Sequence, residues 1–177
     1  RLLEKMHGAL DALPPPWIAF LPGAARGPAK QWPAEHFALA AAQLMAQTGG
    51  SIITLGTAAE AAVCQQVAAA AAPNGLNLAG ATTMEELAAV LSLCAVALCN
   101  DSGGMHLAAA LGTPLVALYG ITNPAQTGPL GDSIRILQHS DRRTRDVPRS
   151  SAEAQKALCA ISTAEAIQAV RDLLHKT

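Results

Sequence analysis

Apolar and polar positions change rhythm several times along this chain, and each change marks an element. Residues 1–13 set Leu2, Leu3, Met6, Leu10 and Leu13 at helical spacing. Pro14-Pro15-Pro16 stops that helix and stiffens the chain. From Trp17 onward, short apolar runs alternate with longer amphipathic stretches. The runs predict strands at 17–21, 51–55, 76–78, 95–99, 115–119 and 134–137. The stretches between them predict helices at 34–47, 58–72, 84–93 and 104–111. A last helix starts at Ser162 or Thr163 and runs to about residue 175. End signals agree: Pro33 suits a first helical turn, Thr83 with Glu86 spells a capping box, and Gly49-Gly50 and Gly112-Thr113-Pro114 end helices.

Strands that alternate with helices through short loops imply βαβ units. The expected fold is α/β, a Rossmann-like parallel sheet with helices on both faces. The fourth and fifth strands are apolar throughout, as strands covered on both sides are. Residues 139–157 break the rhythm: they are polar, with Arg142, Arg143 and Arg145 close together, and predict a surface loop. The prolines at 14–16 suggest a boundary, with 1–16 a helix and linker from a preceding domain and 17–177 the domain proper. The chain starts at Arg1 without a Met, so it is expected to be part of a longer protein.

Composition narrows the picture. Hydrophobic residues make up 51% of the 177 residues and aromatics only 3%, so Ala, Leu, Val and Ile must build the core. The net charge of −1 argues against a nucleic-acid partner. Any phosphate would be held by a few local groups. Cys64, Cys94, Cys99 and Cys159 form no CxxC pair and no zinc spacing. Cys94 and Cys99 read as small buried hydrophobes in a reduced compartment. The longest nearly apolar run, Leu87 to Cys99, is too short to cross a bilayer.

In an open parallel sheet, ligands bind beyond the carboxyl ends of the strands. The loop after the fourth strand, Asn100-Asp101-Ser102-Gly103-Gly104-Met105-His106, runs straight into a helix. A Ser-Gly-Gly turn at a helix N-terminus can aim backbone N–H groups at an anion. Ser102 adds a hydroxyl, and His106, one turn on, lies on the same side. The same residues also suit a plain helix cap. The loop after the first strand carries Arg26 and Lys30 among small residues; Lys30 could neutralise a diphosphate, or both cations could be solvated. After the second strand, Glu60 could accept ribose hydroxyls or only complement its helix. The loop at 79–83, with Thr82, is small enough for a flat base. Trp32 reads as a packing anchor, and the Gly- and Pro-containing loop at 119–129 as turn chemistry.

These segments together resemble the heptosyltransferases, the ADP-heptose:lipopolysaccharide transferases of Gram-negative bacteria (glycosyltransferase family 9). The run from Pro22 to Pro33, PGAARGPAKQWP, is similar to the PGAxxGPAKxWP segment of the heptosyltransferase II branch. Asn100 to Gly112 resembles the family's D-[ST]-G-x-x-H-x-x-x-A-L motif, and Pro114 to Pro124 the run that follows it. The resemblance implies the C-terminal, nucleotide-sugar-binding domain of a two-domain GT-B enzyme. It implies an inverting transferase acting from ADP-heptose on the lipopolysaccharide inner core, without a metal or other cofactor. By resemblance Lys30 contacts phosphate or sugar, Glu60 the ribose, and Asp101 the heptose. Ser102, Gly103, Gly104 and His106 serve the diphosphate, and the loop around Thr82 the adenine. The general base is expected in the first domain, so the chain alone is expected not to transfer sugar. The resemblance also implies a cytoplasmic protein of a Gram-negative bacterium, with room for peripheral contact with the inner membrane. Another nucleotide sugar, such as a UDP-linked one, or a non-catalytic nucleotide-binding module, is the alternative. Two positions depart from the pattern: Gly104 replaces a larger apolar residue, which predicts a looser turn, and Ile121 stands where Pro is frequent.

Overall fold

Strands that are apolar along their whole length need cover on both sides, and the chain provides it. The computed structural model describes residues 1–24, 30–148 and 151–176. Among these, six strands form one sheet: β1 (Trp17–Leu21), β2 (Ser51–Thr54), β3 (Gly75–Asn77), β4 (Val96–Asn100), β5 (Leu115–Leu118) and β6 (Ile134–Leu137). Their order is β3-β2-β1-β4-β5-β6, and every pair is parallel. This is the α/β, Rossmann-like sheet that the periodicity predicts.

The helices are α1 (Leu2–Leu10), α2 (Ala34–Thr48), α3 (Ala61–Ala70), α4 (Met84–Leu93), α5 (Gly103–Ala110), α6 (Pro124–Thr127), α7 (Ala152–Cys159) and α8 (Thr163–Leu174). A 3-10 turn, Ala58–Glu60, leads into α3. Strand residues alternate between the two covers, as the pleat requires. Ile18, Phe20, Val96, Leu98, Val116 and Leu118 share one core with Phe37 and Leu44 of α2 and Ile167 and Val170 of α8. Ala19, Leu21, Ala97, Cys99, Leu115 and Ala117 face the other way, against Met6 and Leu10 of α1, Val90 and Leu91 of α4 and Met105 of α5. Each fully buried Leu, Ile, Val or Phe contributes roughly 1.5–3 kcal/mol.

Helix α1 docks on this domain. Met6 and Leu10 are buried in the shared core, and Lys5 Nζ donates to Glu86 Oε1 of α4 at 2.6 Å. The Trp17 indole donates to Leu13 O, and Ser51 Oγ to Pro14 O, so residues 1–16 are hydrogen-bonded to the elements that follow.

Two expectations need correction. The segment 139–157 is not all loop: its end forms the first turns of α7, whose Ser151 side chain accepts from Ala154 N–H. Val147 and Ala154 are buried there against Ile121, which is 2% exposed. The unusual Ile121 and the atypical 139–157 segment are therefore one packing unit. The loop at 119–129 likewise contains α6, with Asn123 as cap and Pro124 in the first turn.

Candidate functional site

β1 hydrogen-bonds to β2 on one edge and to β4 on the other, so chain order reverses between β1 and β4. Loops leaving two such strands run apart and open a crevice. A cavity of about 820 Å³ lies there, beyond the carboxyl ends of the strands. Lys30, Glu60, Thr82, Asp101, Ser102, Gly103, Gly104 and His106 all line it. Leu21, Leu55, Met84 and Leu87 give it an apolar part, and Thr127 of α6 adds to the wall. Sequence reasoning missed these last five, because their placement depends on strand order.

At the N-terminus of α5, Ser102 holds the cap position in extended conformation, yet its side chain makes no capping bond. Thr83, Asn123, Ser151 and Ser162 all do accept such bonds at their own helices. The plain-cap alternative for Ser102 is thus unused, and its hydroxyl remains for the cavity. The first N–H groups of a helix lack internal partners and carry the positive end of its dipole. A Cβ on Gly103 would meet nothing within 4 Å. Gly104 is different: a Cβ there would overlap Leu21 Cδ2. The space that the larger side chain expected at this position would take is filled here by the end of the Leu21 side chain. His106 is exposed at the cavity rim.

Lys30 Nζ lies 2.5 Å from Asp101 Oδ2. An ammonium has three donors. Lys30 can therefore keep Asp101 and still reach an anion in the cavity. Arg26, the loop's other cation, lies outside the described residues, as do positions 25 and 27–29 of the same motif. Trp32 is the packing anchor expected: 1% exposed, its indole donating to Ile161 O, its ring edge-on to Phe37.

Glu60 complements its helix and also faces the cavity. Its Oε2 accepts from Thr57 N–H at 2.7 Å and from the Thr57 hydroxyl at 2.9 Å, which fixes the carboxylate at the start of its helix. The same side chain lines the cavity and presses on Gly23, where a Cβ would overlap Glu60 Oε1. Below it, burial and then the Glu60 charge push the Cys64 thiol up to about 12. Tyr119, fully buried beneath the site, donates to Thr127 O at 3.0 Å. Burial, and then the Asp101 charge, hold its phenol well above the ordinary range, so it stays a proton donor.

Among the described residues, no group of three or more His, Cys, Asp or Glu is arranged to hold a metal ion. No helix among them is long and apolar enough to cross a membrane.

The model of glycosyltransferase family 9 (heptosyltransferase) matches residues 3–157. The chain belongs to glycosyltransferase family 9. Lipooligosaccharide heptosyltransferase 2 of Haemophilus influenzae is 36% identical over 168 residues, which cover 91% of this chain and 48% of that protein. Lipopolysaccharide heptosyltransferase 2 of Escherichia coli is 39% identical over 127 residues, 70% of this chain and 36% of that protein. The structure of E. coli ADP-heptose lps heptosyltransferase II superposes with a TM-score of 0.84 at 30% identity, over 99% of this chain and 51% of that one. An E. coli heptosyltransferase solved with ADP has the same fold, with a TM-score of 0.68 at 22% identity, over 95% of this chain and 48% of that one. The family 9 chain thus spans about half the length, or less, of the relatives it matches.

Proposed function

We propose that this family 9 chain is the nucleotide-sugar-binding half of an inverting heptosyltransferase that moves heptose from ADP-heptose to the lipopolysaccharide inner core. The observation that carries the reading is the convergence of Lys30, Glu60, Asp101, Ser102 and His106 on one cavity at the switch in strand order. In this reading the diphosphate sits against the first turn of α5, with Ser102 Oγ, His106 and the Lys30 ammonium around it. The apolar part between Leu55, Met84 and Leu87, beside Thr82, takes the adenine. Glu60, held by Thr57, accepts from the ribose hydroxyls, and Asp101 faces the heptose.

As the glycosidic bond to ADP breaks, negative charge grows on the leaving diphosphate. The helix N–H groups and Lys30 are already oriented toward it, so they stabilise that charge without reorganising. They supply what a metal ion supplies elsewhere, and the reading needs none. The base that takes the acceptor proton, the acceptor site and any peripheral membrane contact belong to another domain, which α1 and the prolines at 14–16 would join to this one. The cellular setting proposed is the cytoplasm of a Gram-negative bacterium.

Calorimetric titration with ADP, UDP and GDP tests the reading. ADP should bind with the highest affinity, and chelator should not change it. Equal or better binding of UDP would move the reading to another sugar nucleotide, and absence of all binding at millimolar concentrations would end it.

A further inference from the structure

One buried, hydrogen-bonded polar side chain stands beside the cavity without lining it. Asn100, the last residue of β4, is fully buried. It continues the row of Val96 and Leu98 toward the α2–α8 core, where a polar group needs partners. It has three. Its Oδ1 accepts from Trp32 N–H at 3.0 Å, and its Nδ2 donates to Pro22 O at 2.7 Å, with Gly23 O at 3.5 Å. Pro22 follows the end of β1, and Trp32 stands two residues after Lys30. One amide thus joins the residues that lead away from β1 to those that follow Lys30, at the edge where β1 and β4 pair.

We propose that Asn100 is a positioning residue: it sets where the Lys30 ammonium stands, and so how strongly the site holds a nucleoside diphosphate. The chemistry explains the residue type. The position needs an acceptor for Trp32 and a donor for Pro22 on one short side chain. An aspartate lacks the donor, a leucine lacks both, and a glutamine is longer by a methylene. Asp101, the next residue in sequence, pairs with Lys30. Two adjacent residues therefore fix the lysine by different routes, Asn100 through the backbone at Trp32 and Asp101 through the ammonium.

The role at the diphosphate rests on the function proposed above, and the test separates the two. N100D keeps the acceptor and removes the donor. Burial and the facing Pro22 carbonyl favour the protonated form of the introduced carboxyl. At about pH 8.5 its charge should oppose Pro22, and ADP affinity should fall about tenfold below wild type. Near pH 5.5 the protonated carboxyl can donate again, and the ratio to wild type should close. K30M should cost less affinity in N100D than in wild type, because both changes act through one group. Without nucleotide, trypsin should cut the Lys30–Gln31 bond faster in N100D.

A deficit that is independent of pH and additive with K30M would make Asn100 a packing residue and overturn the proposal. Cutting at the wild-type rate would overturn it too. Faster cutting in a protein whose wild type binds no ADP would leave the anchoring standing and bring down the donor-site reading. N100S carries the cutting and K30M comparisons where N100D does not fold.

Discussion

The Lys30 ammonium and the Asp101 carboxylate face each other 2.5 Å apart inside the cavity, 12% and 6% exposed. Neither charge is well solvated, so each depends on the other. This makes the two single substitutions opposite in effect on nucleotide binding. K30A removes a charge-assisted contact to phosphate, worth about 1.5–3 kcal/mol, and leaves a carboxylate that repels the diphosphate. ADP affinity should fall by at least about tenfold. D101N removes the competing charge and should leave ADP affinity equal to or above that of wild type. Calorimetry on both variants decides it; a loss in D101N comparable to K30A would mean that Asp101 holds the ammonium in place for the nucleotide and does not compete for it.

Gly103 and Gly104 are neighbours with different reasons to be glycine. A Cβ on Gly104 would overlap Leu21 Cδ2, whereas one on Gly103 would stand in open space. G104A should therefore lower stability, by about 1–3 kcal/mol for the overpacking, offset by less than about 1 kcal/mol of helix propensity. Thermal unfolding of G104A with and without Leu21→Val reads this, and the second change should restore much of the loss. G103A should leave the melting temperature near wild type and weaken ADP binding, since its methyl would enter the space assigned to phosphate. Unchanged affinity in G103A would move the diphosphate away from this turn.

Much of this site is legible because its chemistry is local. The run from Asp101 to His106 is one turn of chain, and its geometry needs only that a strand precede it and a helix follow. Strands such as Val96–Asn100 and Leu115–Leu118 announce burial on both faces by apolar continuity. What sequence reading missed is non-local. Leu21 fills the space above Gly104 only because β1 lies beside β4. Asn100 reads as a motif residue, and its partners at Pro22 and Trp32 appear only when those strands pair. The two short helices differ: Asn123-Pro124 and Ser151 are ordinary start signals, but α6 is four residues and α7 buries only Ala154 and Leu158, too little apolar pattern to count.

Tyr119 ties the wall of the cavity to its floor. Its hydroxyl donates to Thr127 O at 3.0 Å and approaches Met105 Sδ at 3.6 Å. Tyr119→Phe removes the donor and leaves the Thr127 carbonyl short of a partner. The expected loss is about 1 kcal/mol, or about 2–4 °C in melting temperature. Thr127 lines the cavity, so hydrogen exchange at 124–128 should quicken as well. Unchanged exchange there would mean that α6 is held by packing alone.

The cysteines give a pH signature of the folded state. Burial raises Cys94 to about 12, and burial with the Glu60 charge raises Cys64 to the same value, from an ordinary 9.0. Cys99 is raised further still, also by burial. A thiol whose pKa rises on folding stabilises the native state for as long as it stays protonated. The unfolded chain loses its thiol protons near 9.0, and the folded one keeps them to about 12. The contribution is complete below 9.0 and is lost as pH rises through about 12, so alkaline conditions should unfold the protein cooperatively in that window. Below it, the thiolate needed for alkylation is absent at all three buried sites, whereas Cys159 is exposed. Iodoacetamide at about pH 8 should modify Cys159 first and spare the others until the protein unfolds. Peptide mapping after timed exposure checks this. Early modification of Cys64 would show that the floor under Glu60 opens in the native protein, and the carboxylate held by Thr57 would then not be a fixed acceptor for a ribose.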